Sequence, residues 1–116
     1  MRNLFYVLLI PLIMISCGKK DCSDLEKKYA TQPEAVKAIS SSAFQVKESQ
    51  TTANSSSIKR VEYYSCDGAV GYLIVYNLSG EIYLHRDVPI DTWKGLKSAE
   101  YMRNYYNDNL RNQYVY

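Results

Sequence analysis

The stretch EIYLHRDVPIDTWKGLKSAE, residues 81–100, contains the change of period on which the fold turns. Its opening alternates: Ile82, Leu84 and Val88 fall one way, and Tyr83, His85 and Asp87 the other, which is the period of a strand. Pro89 cannot donate to a sheet ladder, so the strand ends there. Beyond it, Asp91 or Thr92 is expected to cap a helix through Trp93, Leu96 and Ala99, whose spacing turns Trp93 and Leu96 toward the sheet. Gly95 inside that helix costs about 1 kcal/mol relative to Ala and permits close packing. The stretch also holds the chain's single His and single Trp. His85 and Asp87 share a strand face but stand two rises apart, about 7 Å. That is too long for a base steadied by a carboxylate, and no serine stands in register. A half-buried strand position, not a catalytic base, is expected for His85.

Upstream, IKRVEYY (58–64) and AVGYLIVY (69–76) read as two further strands joined by SCDG, where Asp67-Gly68 suits positive φ. In 69–76, Val70, Tyr72, Ile74 and Tyr76 occupy one face and Leu73 and Val75 the other. A strand apolar on both faces is central and covered on both sides. NLSG makes the next turn, so the three strands form an antiparallel meander. Downstream, EYMRNYYNDNL gives a second helix with Tyr101, Tyr105 and Leu110 at helical spacing. Farther upstream, TQPEAVKAISSSAF starts a helix: Thr31 caps, Pro33 suits the first turn, and Glu34 favours the positive end of the dipole. Ala35, Val36 and Ile39 form its apolar stripe, which extends toward Phe44. Residues 47–57, KESQTTANSSS, have no apolar periodicity and are expected as loop or linker. The expected class is α+β: a three-stranded antiparallel meander followed by two short helices, and preceded by one short helix and a tether.

The N-terminus, MRNLFYVLLIPLIMISCGKKDC, places a basic start before about a dozen greasy residues, too short to span a bilayer comfortably. Met14-Ile15-Ser16-Cys17 then resembles a bacterial lipobox. The resemblance implies a signal peptide over 1–16 and acyl chains on Cys17 as the mature N-terminus. Two or more chains anchor stably where one holds marginally. The expected setting is the cell envelope, lipid-anchored, at the outer membrane, with residues 17–57 as tether and short helix and 58–116 as the domain. With Cys17 lipidated, Cys22 and Cys66 remain. An exported protein sits in an oxidising compartment, which permits their pairing, and closing a loop of about 45 residues adds about 4 kcal/mol by chain entropy. Two unpaired thiols are the alternative. No Cys-x-x-Cys and no His-rich tract indicates a metal, and no cofactor is expected.

A chain of 116 residues has room for one domain, and a formal net charge of +2, about +1 without Arg2, gives no strong field for nucleic acid. Tyrosine is abundant, with 12 copies. Each supplies a large ring with a polar tip, suited to a core and to a contact surface.

The order Ser56-Ser57-Ile58, Tyr63-Tyr64, a hydrophobic strand, SGEIYLHRDVP, Trp93, Leu96, Ala99 and YYNDNLRNQY resembles the KTSC domain, a small family named for the C-terminus of some lysyl-tRNA synthetases. The family's central Tyr-x-Tyr stands here as Tyr83-Leu84-His85, and its N-x-x-I-R element as Asn107 to Arg111 with Leu110 in the aliphatic place. The resemblance implies an α+β domain without known catalysis, and RNA binding has been suggested for the family. Lys94, Lys97, Arg103 and Arg111 make a mild basic stretch interrupted by Glu100 and Asp108, which reads as a solvated helix face. The expected function is a non-catalytic, membrane-anchored binding module. Its contact surface would include Tyr83, His85, Tyr101, Tyr105, Tyr106 and Arg111, and its partner would be an envelope protein or an extracellular polymer. RNA binding is the alternative, although an exported chain meets little RNA.

Overall fold

The computed structural model describes residues 21–25, 29–52 and 57–116. The fold is α+β. A four-stranded antiparallel sheet runs in the order β1 (Val46–Thr51), β2 (Ile58–Ser65), β3 (Val70–Asn77), β4 (Ile82–Pro89). Helix α1 (Gln32–Ser40) precedes the sheet, and α2 (Ile90–Ser98) and α3 (Met102–Asn109) follow it. The expected meander of three strands therefore gains a fourth. Residues 46–51, most of them assigned above to a loop, pair with β2 from Val46↔Ser65 to Thr51↔Arg60. Among the described residues no helix is long and apolar enough to cross a membrane.

Each sheet face has its own core, because β3 is apolar on both sides. Leu73 and Val75 join Val61, Tyr63, Trp93, Leu96, Tyr106 and Leu110 beneath α2 and α3. Ile74 joins Ala35, Ile39, Tyr64 and Leu84 beneath α1, with Tyr72, Tyr76 and Phe44 at its margin. Fully burying a side chain such as Leu73 or Ile74 contributes about 1.5–3 kcal/mol. Helix α1 is set by a capping box: the Thr31 side chain accepts from the Glu34 amide while Glu34 accepts from the Thr31 amide.

Two departures from regular alternation correct the reading of β4 and its helix. Leu73 pairs with His85 but Gly71 with Val88, so β4 carries one extra residue. Asp87 takes up the irregularity with φ 58°. Leu84 and Val88, expected on one face, thus point to opposite cores. Helix α2 begins immediately at Ile90 with Pro89 as its N-cap and no side-chain cap, so neither Asp91 nor Thr92 serves. Asp91 lies in the first turn, where a carboxylate complements the dipole.

The core around Trp93 is closed by specific contacts. Tyr63 and Trp93 stack with ring centroids 5.3 Å apart, and the Tyr63 hydroxyl donates to the Val88 carbonyl at 2.8 Å. The Trp93 indole N–H donates to Glu48 of β1 at 2.7 Å, and Lys97 reaches the same carboxylate oxygen at 2.7 Å. These bonds hold the carboxyl of Glu48 below its usual range, Lys97 contributing most. They explain how an otherwise polar edge strand is fixed to the helical layer.

Cys22 and Cys66 are joined, with Cα atoms 5.8 Å apart. Cys22 opens a single 3₁₀ turn, Cys22–Asp24, whose preceding Asp21 bridges to Ala43. The N-terminal segment is thereby attached to the turn between β2 and β3. Cys17 and residues 1–16 lie outside the described residues.

Candidate functional site: a cleft between β4 and α3

Helix α3 presents two adjacent stripes. Met102, Tyr106 and Leu110, at spacing four, enter the core. The neighbouring stripe of Arg103, Asn107 and Arg111 stays exposed. The expected stripe of Tyr101, Tyr105 and Leu110 is corrected accordingly. Tyr101 stands 58% exposed just ahead of α3. Tyr105 packs half-buried over α2, where a Cβ on Gly95 would run into its hydroxyl. The glycine in α2 is there for a close approach.

The polar stripe forms one wall of a cleft of about 460 Å³. The opposite wall is the start of β4, with Tyr83, Leu84 and His85. Gln32 of α1, Ser57, Asn77 and Asn112 complete the polar lining. Gln32 is tied in place by donating to the Ile82 carbonyl at 2.7 Å. No Asp or Glu is among the described residues that line it. Its volume lies in the range of ligand clefts, about 300–1,000 Å³.

The floor is a hydrogen-bonded chain. His85 is 3% exposed, more buried than its strand position led one to expect. Its Nδ1 lies 3.2 Å from the Gln113 carbonyl, which can only accept, so Nδ1 carries the proton. Nε2 then accepts from the Tyr106 hydroxyl at 2.7 Å. Burial lowers the pKa of His85 and so favours this neutral form. Burial also pushes the Tyr106 hydroxyl up to about 12, with Tyr83 adding to the rise and Arg111 opposing it. Because Tyr106 spends its proton on His85, its lone pairs are what it offers any neighbour in the cleft. Val115 pairs with His85 along the outer edge of β4, and the Arg86 backbone N–H donates to the Tyr114 carbonyl, which holds the C-terminal segment in place.

Of the expected contact residues, Tyr83, His85, Tyr106 and Arg111 line this cleft, while Tyr101 and Tyr105 do not. The surface is therefore not a patch of four exposed tyrosines. Tyr83 contributes an open ring, 40% exposed, whose hydroxyl donates to Glu81 at 2.8 Å, and Tyr106 lies in the floor, 7% exposed. Sequence reasoning missed Gln32, Asn107 and Asn112 as lining residues, and took Arg103 for part of a solvated face. The signal available was the spacing of four through Arg103, Asn107 and Arg111. Among the described residues no group of three or more His, Cys, Asp or Glu is arranged to hold a metal.

A family model described as KTSC domain matches residues 54–114, just over half of the chain and the whole of β2 to α3. No curated protein and no solved structure matches. The matched span contains Tyr83-Leu84-His85, Asn107 to Arg111 and the Trp93 core, and on that ground the chain belongs to the KTSC domain family.

Proposed function

We propose that this protein is a non-catalytic binding module of the bacterial envelope, anchored through acyl chains on Cys17, and that it uses the cleft between β4 and α3 to bind a polar ligand. The observation that carries this reading is the position of the disulfide. Cys66 follows the end of β2, whereas Ser57 and Ile58, at its beginning, border the cleft. Seven strand rises separate those ends, roughly 23 Å. Cys17 lies five residues before Cys22, a reach of at most about 18 Å. A lipid on Cys17 would therefore hold the turn between β2 and β3 near the bilayer and the Ser57–Ile58 end of the cleft farther from it, toward the envelope. The segment from 29 to 52, expected as tether with one short helix, contributes both α1 and β1 to the fold, which keeps the mounting short.

The floor of the cleft favours binding over catalysis. His85 has both ring nitrogens committed, one to Gln113 and one to Tyr106. Mass spectrometry of the chain recovered from a lipoprotein-processing bacterium tests the anchor. The expected product begins at Cys17 and carries acyl mass, and Cys17→Ser loses that mass. An unmodified chain beginning at Met1 contradicts the proposal.

A further inference from the structure

The lining of the cleft defines a ligand class, an inference that rests on reading the cleft as the binding site. We infer that the cleft takes an uncharged oligosaccharide, with one sugar ring seated against the Tyr83 ring. Charge decides the class first. The Tyr83 hydroxyl donates to the Glu81 carboxylate at 2.8 Å, and that bond raises its pKa while the Arg111 guanidinium acts in the opposite direction. Both signs of charge thus stand beside one ring. Arg103, the other cation among the lining residues, is already engaged within the chain. An anion meets Glu81 at this rim and a cation meets Arg111, so a formal charge on the ligand is opposed either way. A sugar hydroxyl meets no such penalty, because it donates to a carboxylate and accepts from a guanidinium.

The rest of the lining suits a ligand with many hydroxyls. Gln32, Asn77, Asn107 and Asn112 bring four carboxamides to the cleft, and each carboxamide both donates and accepts. Gln32 is fixed by its bond to the Ile82 carbonyl, and Tyr106, its proton committed to His85, offers lone pairs from the floor. Tyr83, 40% exposed and steadied by Glu81, is an apolar platform at the mouth, and exposed Val115 lines the same cleft. The negative face of an aromatic ring suits the C–H groups that one side of a pyranose presents. A nucleic acid fits less well, because it brings a charge with every phosphate to a rim that holds Glu81. An extended peptide also fits less well. Strand addition to the outer edge of β4 is pre-empted where Gln32 takes the Ile82 carbonyl and the Tyr114 carbonyl takes the Arg86 backbone N–H.

Calorimetric titration of the full acylated chain, in micelles of a detergent without a sugar headgroup, tests the inference. The neutral probes are cellotriose, mannotriose and triacetylchitotriose; the charged ones are trigalacturonate, chitotriose and an RNA octamer. At least one neutral trisaccharide is expected to bind about tenfold or more tighter than every charged probe, with an affinity that holds as salt rises from about 0.05 to 0.5 M. Tyr83→Ala is expected to weaken it by about tenfold with the thermal melt unchanged, and Tyr83→Phe, which keeps the platform, to retain most of the affinity. No binding of any neutral probe, tighter binding of a charged one, or an affinity that falls with salt overturns the ligand class. Equal losses in Tyr83→Phe and Tyr83→Ala overturn the seat on the ring. If a charged probe binds and Tyr83→Ala weakens it, the cleft stands as the binding site and only the uncharged-saccharide assignment falls. If Tyr83→Ala and Asn107→Ala leave the affinity of every bound probe unaltered, the cleft reading falls with it.

Discussion

His85 shows how a single side chain becomes legible only in three dimensions. Its strand position and its lack of a nearby carboxylate were readable from local spacing. Its partners, Tyr106 and the Gln113 carbonyl, lie 21 and 28 residues away, beyond any local pattern. The burial that lowers its pKa has a consequence for stability. The folded state favours the neutral ring, so the unfolded state binds the proton more readily and acid favours unfolding. Stability is thus full above pH 6.5, the ordinary value, and declines as pH falls below it. Glu48, whose carboxyl is lowered from 4.5, begins its own loss only below that point. Chemical denaturation between about pH 4.5 and 6.5 should accordingly give a falling midpoint for the parent and a flatter profile for His85→Gln. Gly71 is a second position decided by a distant neighbour. A Cβ there would collide with the backbone carbonyl of Tyr64 on β2, an atom that cannot swing aside. Gly71→Ala is expected to destabilise by about 1–3 kcal/mol in equilibrium unfolding, although Ala otherwise suits a strand better than Gly.

The elements differ in how plainly the sequence announces them, and the difference follows burial. Strand β3, apolar on both faces, and α1, with its capping box and buried Ala35 and Ile39, match the expectations closely. Strand β1 does not, because almost every residue of VKESQT is exposed and an edge strand with neither face buried has no apolar alternation to detect. What fixes it is Glu48, which no periodicity marks. Glu48→Ala is expected to cost about 1–2 kcal/mol in thermal or urea unfolding, chiefly by leaving the Trp93 N–H without its acceptor, since an exposed Lys–Glu pair contributes little by itself. Glu48→Gln, which keeps an acceptor, should lose less. On α3 the tyrosines drew attention to Tyr101 and Tyr105, yet the buried row is Met102, Tyr106 and Leu110. Two rows one residue apart have the same spacing, so periodicity alone does not choose between them. Contact with β4 does, and it moves the cleft-lining row to Arg103, Asn107 and Arg111.

At the scale of the whole molecule, the disulfide connects folding with presentation. It closes a loop of 44 residues, worth about 4 kcal/mol by chain entropy. Reduction is expected to lower the urea midpoint by a corresponding amount, and Cys22→Ser to do the same without reductant. Under the proposed anchoring, reduction also releases the sheet from its short mounting, so stability and orientation should be lost together. The account's central claim is that the acylated protein stands with the turn between β2 and β3 at the bilayer and the cleft away from it. Paramagnetic broadening of backbone amide signals, measured on the acylated chain in nanodiscs with spin-labelled headgroups, tests this most directly. The amides of Asp67, Gly68 and Ala69 should broaden strongly and those of Tyr83 and Asn112 should be spared; broadening of Tyr83 and Asn112 equal to or greater than that of the turn would contradict the claim.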